Sequence, residues 1–105
     1  MEVFARVFEL GGFSAAARAL SAKLLAQDND SETAEELSDA LYDKSPLVRV
    51  AAAKALGGFA DPALIPRLQL LLEDKSEAVK YMAAASILRI EHKTKRNIRK
   101  TKVKA

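Results

Sequence analysis

Residues 43–56, DKSPLVRVAAAKAL, recur 31 positions later as DKSEAVKYMAAASI at residues 74–87. Laying residues 13–43 on residues 44–74 without a gap carries the same period backwards. Nine of the 31 positions are then identical: Ser14/Ser45, Arg18/Arg49, Ala22/Ala53, Lys23/Lys54, Leu25/Leu56, Asp30/Asp61, Leu37/Leu68, Leu41/Leu72 and Asp43/Asp74. Chance in so Ala-rich a chain accounts for roughly two or three. The shared positions hold helix-starting hydroxyls and carboxylates, apolar residues at helical spacing, and one Arg. A unit of this length cannot bury its own apolar face, so its copies must cover one another.

The helix signals follow the period. Residues 2–10 place Val3, Phe4, Val7, Phe8 and Leu10 at helical spacing ahead of Gly11-Gly12, predicting a lead helix. Ser14 supplies a cap for a second helix to about residue 26, and the polar turn 27–31 supplies the next. A third helix to about residue 42 carries Ala34, Leu37 and Leu41 on one face. Ser45-Pro46 starts the fourth, through a capping hydroxyl and a Pro whose missing N–H costs nothing there, and Gly57-Gly58 ends it as C-caps do. Asp61-Pro62 starts the fifth, which is expected to bury Ile65, Leu68 and Leu72, with Pro66 distorting its first turn. Ser76-Glu77 opens the sixth, to about residue 90, apolar on nearly every side and therefore expected to be buried. The reading is an all-α solenoid of six antiparallel helices in a domain spanning residues 1–90. Its lead helix is 2–10, and its units are about 13–43, 44–74 and a truncated 75–90.

Composition agrees with packed helices. Aromatics are 6% of the 105 residues and Trp is absent, which disfavours a β-sandwich. The chain has no Cys, so disulfides and thiolate chemistry are excluded. No apolar run approaches the ~20 residues of a membrane span, and the first residues lack a basic leader, so a cytoplasmic setting is expected. The net charge of +3 hides a division: residues 1–90 carry −3 and residues 91–105 carry +6. Residues 91–105 read as a basic, disordered tail.

Chemistry is sparse. His92 is the only His, with no Cys or acid pattern around it, so it reads as a solvated side chain. Both Gly-Gly pairs follow helices, whereas a phosphate loop precedes one. The adjacent carboxylates Glu35-Glu36 and Glu73-Asp74 point apart on a helix and form no dyad. No enzyme activity, cofactor or metal is expected. Arg18, Arg49 and Lys80 share one repeat position and are expected to reach a turn carboxylate, among Asp30, Asp43, Asp61 and Asp74, setting how the units stack. Lys93, Lys95, Arg96, Arg99, Lys100, Lys102 and Lys104 either contact nucleic acid or an anionic membrane, or only keep the end soluble. The edge behind the last helix has no recognisable cap and offers a surface for self-association.

These motifs resemble the HEAT family, and more closely the short HEAT-like repeats of phycobilin lyases. The residues concerned are Asp43, Ser45-Pro46, Val48-Arg49, Ala51-Ala52-Ala53, Ala55-Leu56-Gly57, Asp61-Pro62, Ile65-Pro66, Leu68, Leu72 and Asp74. The resemblance covers about residues 13–90 and implies a right-handed superhelix. In such folds the second helix of each pair lines a concave face that binds partners. Here those positions are Glu32, Glu35, Glu36, Asp39, Ala63, Pro66, Arg67 and Leu70. The implied function is a protein-interaction module or scaffold. The cluster Glu32, Glu35, Glu36 and Asp39 is either the solvated side of an amphipathic helix or an acidic patch that receives a basic segment. Two alternatives stay open: a nucleic-acid-binding protein acting through its tail, and an accessory subunit of a lyase-type enzyme. Residues 1–20 also resemble the first two helices of a LysR-type helix-turn-helix. The continuation SAKLLAQDNDSETAEEL, where a recognition helix belongs, carries carboxylates that would repel phosphate.

Overall fold

A computed structural model describes residues 14–28 and 30–104, with side chains as far as Ile98. The expected lead helix and the Gly11-Gly12 stop lie outside these residues. In chain order come α1 (Ala15–Leu25), α2 (Ser31–Ala40), α3 (Pro46–Leu56), a 3-10 turn (Pro62–Leu64), α4 (Ile65–Gln69), a second 3-10 turn (Leu70–Glu73) and α5 (Glu77–Lys104). The described residues contain no strand. The first helix of each unit lies beside the next, α1 on α3 and α3 on α5. A second layer covers this row, with α2 against α1 and α3, and α4 against α5.

Between the layers Leu25, Leu37, Leu41, Val48, Leu56, Leu68, Val79 and Ile90 are buried. Burying each such side chain stabilises the fold by about 1.5–3 kcal/mol. Small residues set the closeness of the row. Ala22, Ala52, Ala53 and Ala83 are buried within it, and Gly57 marks a close crossing. A Cβ at Gly57 would lie 2.6 Å from Ser86 Oγ and 2.8 Å from Ser86 Cβ. Gly57 has a right-handed φ of −62°, so it is glycine because α5 passes over it, and not as the left-handed cap its position suggests. Ser86 in turn donates to the Ala53 carbonyl at 2.7 Å, tying α5 to α3 inside the core.

The period reappears in the hydrogen bonds. Ser14 and Ser76 cap their helices by accepting from Ala17 and Val79 N–H. Asp30 and Asp61, also one period apart, accept from the N–H two residues on, at Glu32 and Ala63. Their carboxylates thus start the second-layer elements. The Ser45 hydroxyl makes no cap, contrary to expectation. Instead its N–H donates to Asp43 Oδ1 at 2.9 Å, and Pro46 pre-sets the helical start.

Asp43 and Asp74 receive the arginines. Arg18 grips Asp43 through Nε (2.8 Å) and Nη2 (2.9 Å), and Arg49 grips Asp74 the same way at 2.9 and 3.1 Å. Arg49 also donates to the Asp43 carbonyl at 2.7 Å, so the two bridges are linked through one residue. The Arg18 hydrogen bonds hold the Asp43 carboxyl below the usual carboxylate range despite desolvation, helped by the Ser45 N–H and by the charges of Arg18 and Lys44. Desolvation pushes Asp74 upward, but Arg49, the Ser76 N–H and the Lys80 charge together bring it below that range. Lys80, at the same repeat position, pairs instead with Glu77 on its own helix at 3.3 Å. Arg18 and Arg49 each reach an Asp 25 residues onward, whereas the position 25 residues after Lys80 is Ala105 and offers no carboxylate.

Two elements depart from the sequence reading. Where one helix was expected around Pro66, the chain makes a single α-helical turn between two 3-10 turns. The tighter 3-10 repeat brings Leu71 inward, three residues after Leu68, so Leu64, Leu68 and Leu71 are buried while Leu72 is exposed. At the other end, the stretch read as a disordered tail is helical to Lys104. Residues 77–104 hold neither Gly nor Pro, and the packed first turns supply the nucleus from which the helix propagates. Nor is α5 buried all round: Tyr81 (69% exposed) and Leu88 (64%) face outward.

Candidate functional site

The second layer offers the surface on which the candidate binding residues converge. Asp30 starts α2 so that Glu32, Glu35 and Asp39 recur on its exposed side, with Glu36 half-buried beside them. Asp61-Pro62 starts the following segment and turns Ala63, Pro66 and Leu70 outward. Arg67 is half-buried between the two segments. The two halves meet at one place, where Arg67 donates from Nη2 and Nη1 to the two Glu35 oxygens at 3.0 and 3.2 Å. Those hydrogen bonds keep the guanidinium charged beyond its ordinary range against desolvation, and the charges of Glu35 and Asp39 act in the same direction. The cluster is therefore a mixed patch, in which Arg67 takes up part of the negative charge that α2 presents.

Beside the bridge is a shallow groove of about 410 Å³. Ser31, Ala34 and Glu35 form its α2 wall, and residues 58–61 with Leu64 close the other side. Phe59 is buried at its base, and Asp61 stands exposed at the lip. Tyr42, 71% exposed, follows Glu35 and Asp39 at helical spacing and extends the patch with an aromatic surface. Neither Tyr42 nor the groove entered the sequence reading. The spacing 35, 39, 42 was a visible signal for the tyrosine. The groove was not visible, because the loop after Gly58 carries no periodic mark.

The tail residues divide. Lys93 is no free contact: its ammonium donates to the Gly58 carbonyl at 2.9 Å and closes the end of α3. Burial and the charges of Arg89 and Arg96 lower its pKa. Lys95 and Arg96 are exposed on α5, and Arg99, Lys100, Lys102 and Lys104 lie on its last turns. His92 is exposed. Among the described residues no group of His, Cys, Asp and Glu could hold a metal ion, and no buried side-chain polar atom lacks a hydrogen-bond partner. No helix among them is long and apolar enough to cross a membrane.

Compared with known families, residues 9–89 match the model for HEAT repeats. No curated protein matches the chain.

Proposed function

The chain belongs to the HEAT-repeat family, and from that premise we propose that it is a non-enzymatic interaction module in which stacked units of about 31 residues form a short right-handed solenoid. HEAT repeats generally mediate contacts between proteins, and the partner-binding face is assigned here to α2, Tyr42 and the α4 segment. The observation that carries the assignment is the make-up of that face. Glu32, Asp39 and Tyr42 stand exposed around a solvent-facing Glu35–Arg67 bridge, with Pro66 and the 63% exposed Leu70 beside them. Carboxylates interspersed with exposed apolar groups suit a protein segment that carries basic side chains beside an apolar anchor.

The test is affinity capture with mass spectrometry, at low salt and after nuclease treatment. The full chain is compared with a Glu32→Lys/Asp39→Lys/Tyr42→Ala variant and with a Lys95→Gln/Arg96→Gln/Arg99→Gln variant. Partners lost from the first and kept by the second support the assigned face. Partners kept by the first would reject it. The reverse pattern, with nuclease-sensitive partners, would favour the second reading, binding of nucleic acid. That reading starts from the basic end of α5, where Lys95 and Arg96 are exposed.

A further inference from the structure

Among the described residues, α5 is the last first-layer helix, and its outer face is exposed. Tyr81 occupies the repeat position of Ala19 and Val50, and Leu88 that of Ala26 and Gly57. Within the row those positions are covered: Ala19 is 8% exposed, Val50 is half-buried, and Gly57 is buried under Ser86. On α5 they hold bulky side chains and are 69% and 64% exposed. Another unit stacked as closely as α5 on α3 would need small residues here, so this face is shaped for a different packing.

Its residues run in a helical stripe through Glu77, Tyr81, Ala85, Leu88, His92 and Lys95, with Arg96 at its edge, and all are exposed. The stripe is acidic at its start, apolar in the middle and basic at its end. Such an order is complementary to its own reverse. We propose that this face pairs with the same face of a second copy of the chain, the two α5 helices running antiparallel about a twofold axis between Ala84 and Ala85. Tyr81 then lies against the second copy's Leu88, and the second copy's Tyr81 against Leu88, as an isologous contact requires. Glu77, which keeps Lys80 beside it on its own helix, falls opposite the second copy's His92 and next to its Lys95, so a carboxylate meets a lysine at both ends of the seam. A parallel arrangement would set acid on acid and base on base. The acidic face of α2 takes no part, which makes this contact independent of the partner-binding assignment.

The test is sedimentation equilibrium of the nuclease-treated full chain, over about 1–500 μM, a range suited to a contact of one helix per copy. The expected result is a monomer–dimer equilibrium that Leu88→Glu weakens at least about tenfold, placing a charge in the apolar centre. Glu77→Arg weakens it less, and Glu77→Arg/His92→Glu in one chain restores it. All three altered sites are exposed, and an unchanged thermal midpoint for each variant verifies the fold. Tyr81→Gln serves in place of any variant whose midpoint falls. A monomer at every concentration, or a dimer indifferent to Leu88→Glu and Tyr81→Gln, would overturn the proposal. A charge swap that restores nothing would overturn the antiparallel pairing.

Discussion

Helices α3 and α5 open alike, each behind an Asp-Lys-Ser turn, and each continues into a stretch rich in alanine. They differ in what lies beside them among the described residues: α3 has a first-layer helix on either side, and α5 has one on the α3 side. The residues at shared positions follow that difference. Arg49 on α3 spans to the Asp43 carbonyl and the Asp74 carboxylate, whereas Lys80 on α5 turns to Glu77. Gly57 lets a neighbouring helix touch, while Leu88 faces outward. Repetition thus sets the helices, and the presence of a neighbour sets what a position must be.

The arginine position gives the largest expected effect. The Arg49 and Asp74 side chains are only 16% and 10% exposed, so Arg49→Met leaves a buried carboxylate and the Asp43 carbonyl short of a donor. The expected loss is about 3 kcal/mol of unfolding free energy, read from urea melts. Lys80→Met removes a solvated pair on one helix and is expected to cost less than about 0.5 kcal/mol. Equal losses at the two positions would break the contrast between interior and edge.

Gly57 comes next. Replacing a glycine near a helix end with Ala ordinarily stabilises by about 0.5–1 kcal/mol. Here the added methyl meets Ser86 at 2.6–2.8 Å inside the row, and the sign reverses. Gly57→Ala is expected to lower stability by about 1–3 kcal/mol through overpacking. Leu88→Ala, at the matching position on the open side, should change it by less than about 0.5 kcal/mol. A stabilised Gly57→Ala variant would show that α5 can shift away, and the crossing would then be loose.

The family, the helical class and the repeat-spaced caps were legible because each depends on residues close in sequence. Ser14, Asp30, Asp61 and Ser76 stand within three residues of the N–H groups they accept from. What required the structure depends on distance. Asp43 and Asp74 could be told from Asp30 and Asp61 only once Arg18 and Arg49 were seen to reach 25 residues onward. The inward Leu71 followed from a change of helical pitch after Pro66, and the run of three leucines at 70–72, two residues after Leu68, hides such a change. The helical basic end was missed for another reason. An apolar stripe marks where a helix is covered, and α5 goes on past its cover.

The proposed binding surface rests on the second layer, where the cross-link is of another kind. Glu35–Arg67 joins two separate segments as Arg49–Asp74 does, and is also bidentate, but its side chains are 67% and 39% exposed. Water competes for both groups, and ordering two long side chains offsets most of the Coulomb gain. Glu35→Gln is therefore expected to change stability by less than about 0.5 kcal/mol, the smallest effect of the three. Thermal unfolding at low salt, where an exposed pair counts most, is the measurement. On the proposed function, the same weakness makes the pair exchangeable: a basic group arriving on this face would take over the carboxylate at little cost to the fold. A loss near the size expected for Arg49→Met would instead make the bridge part of the stacking apparatus, and the second layer would then be as fixed as the first.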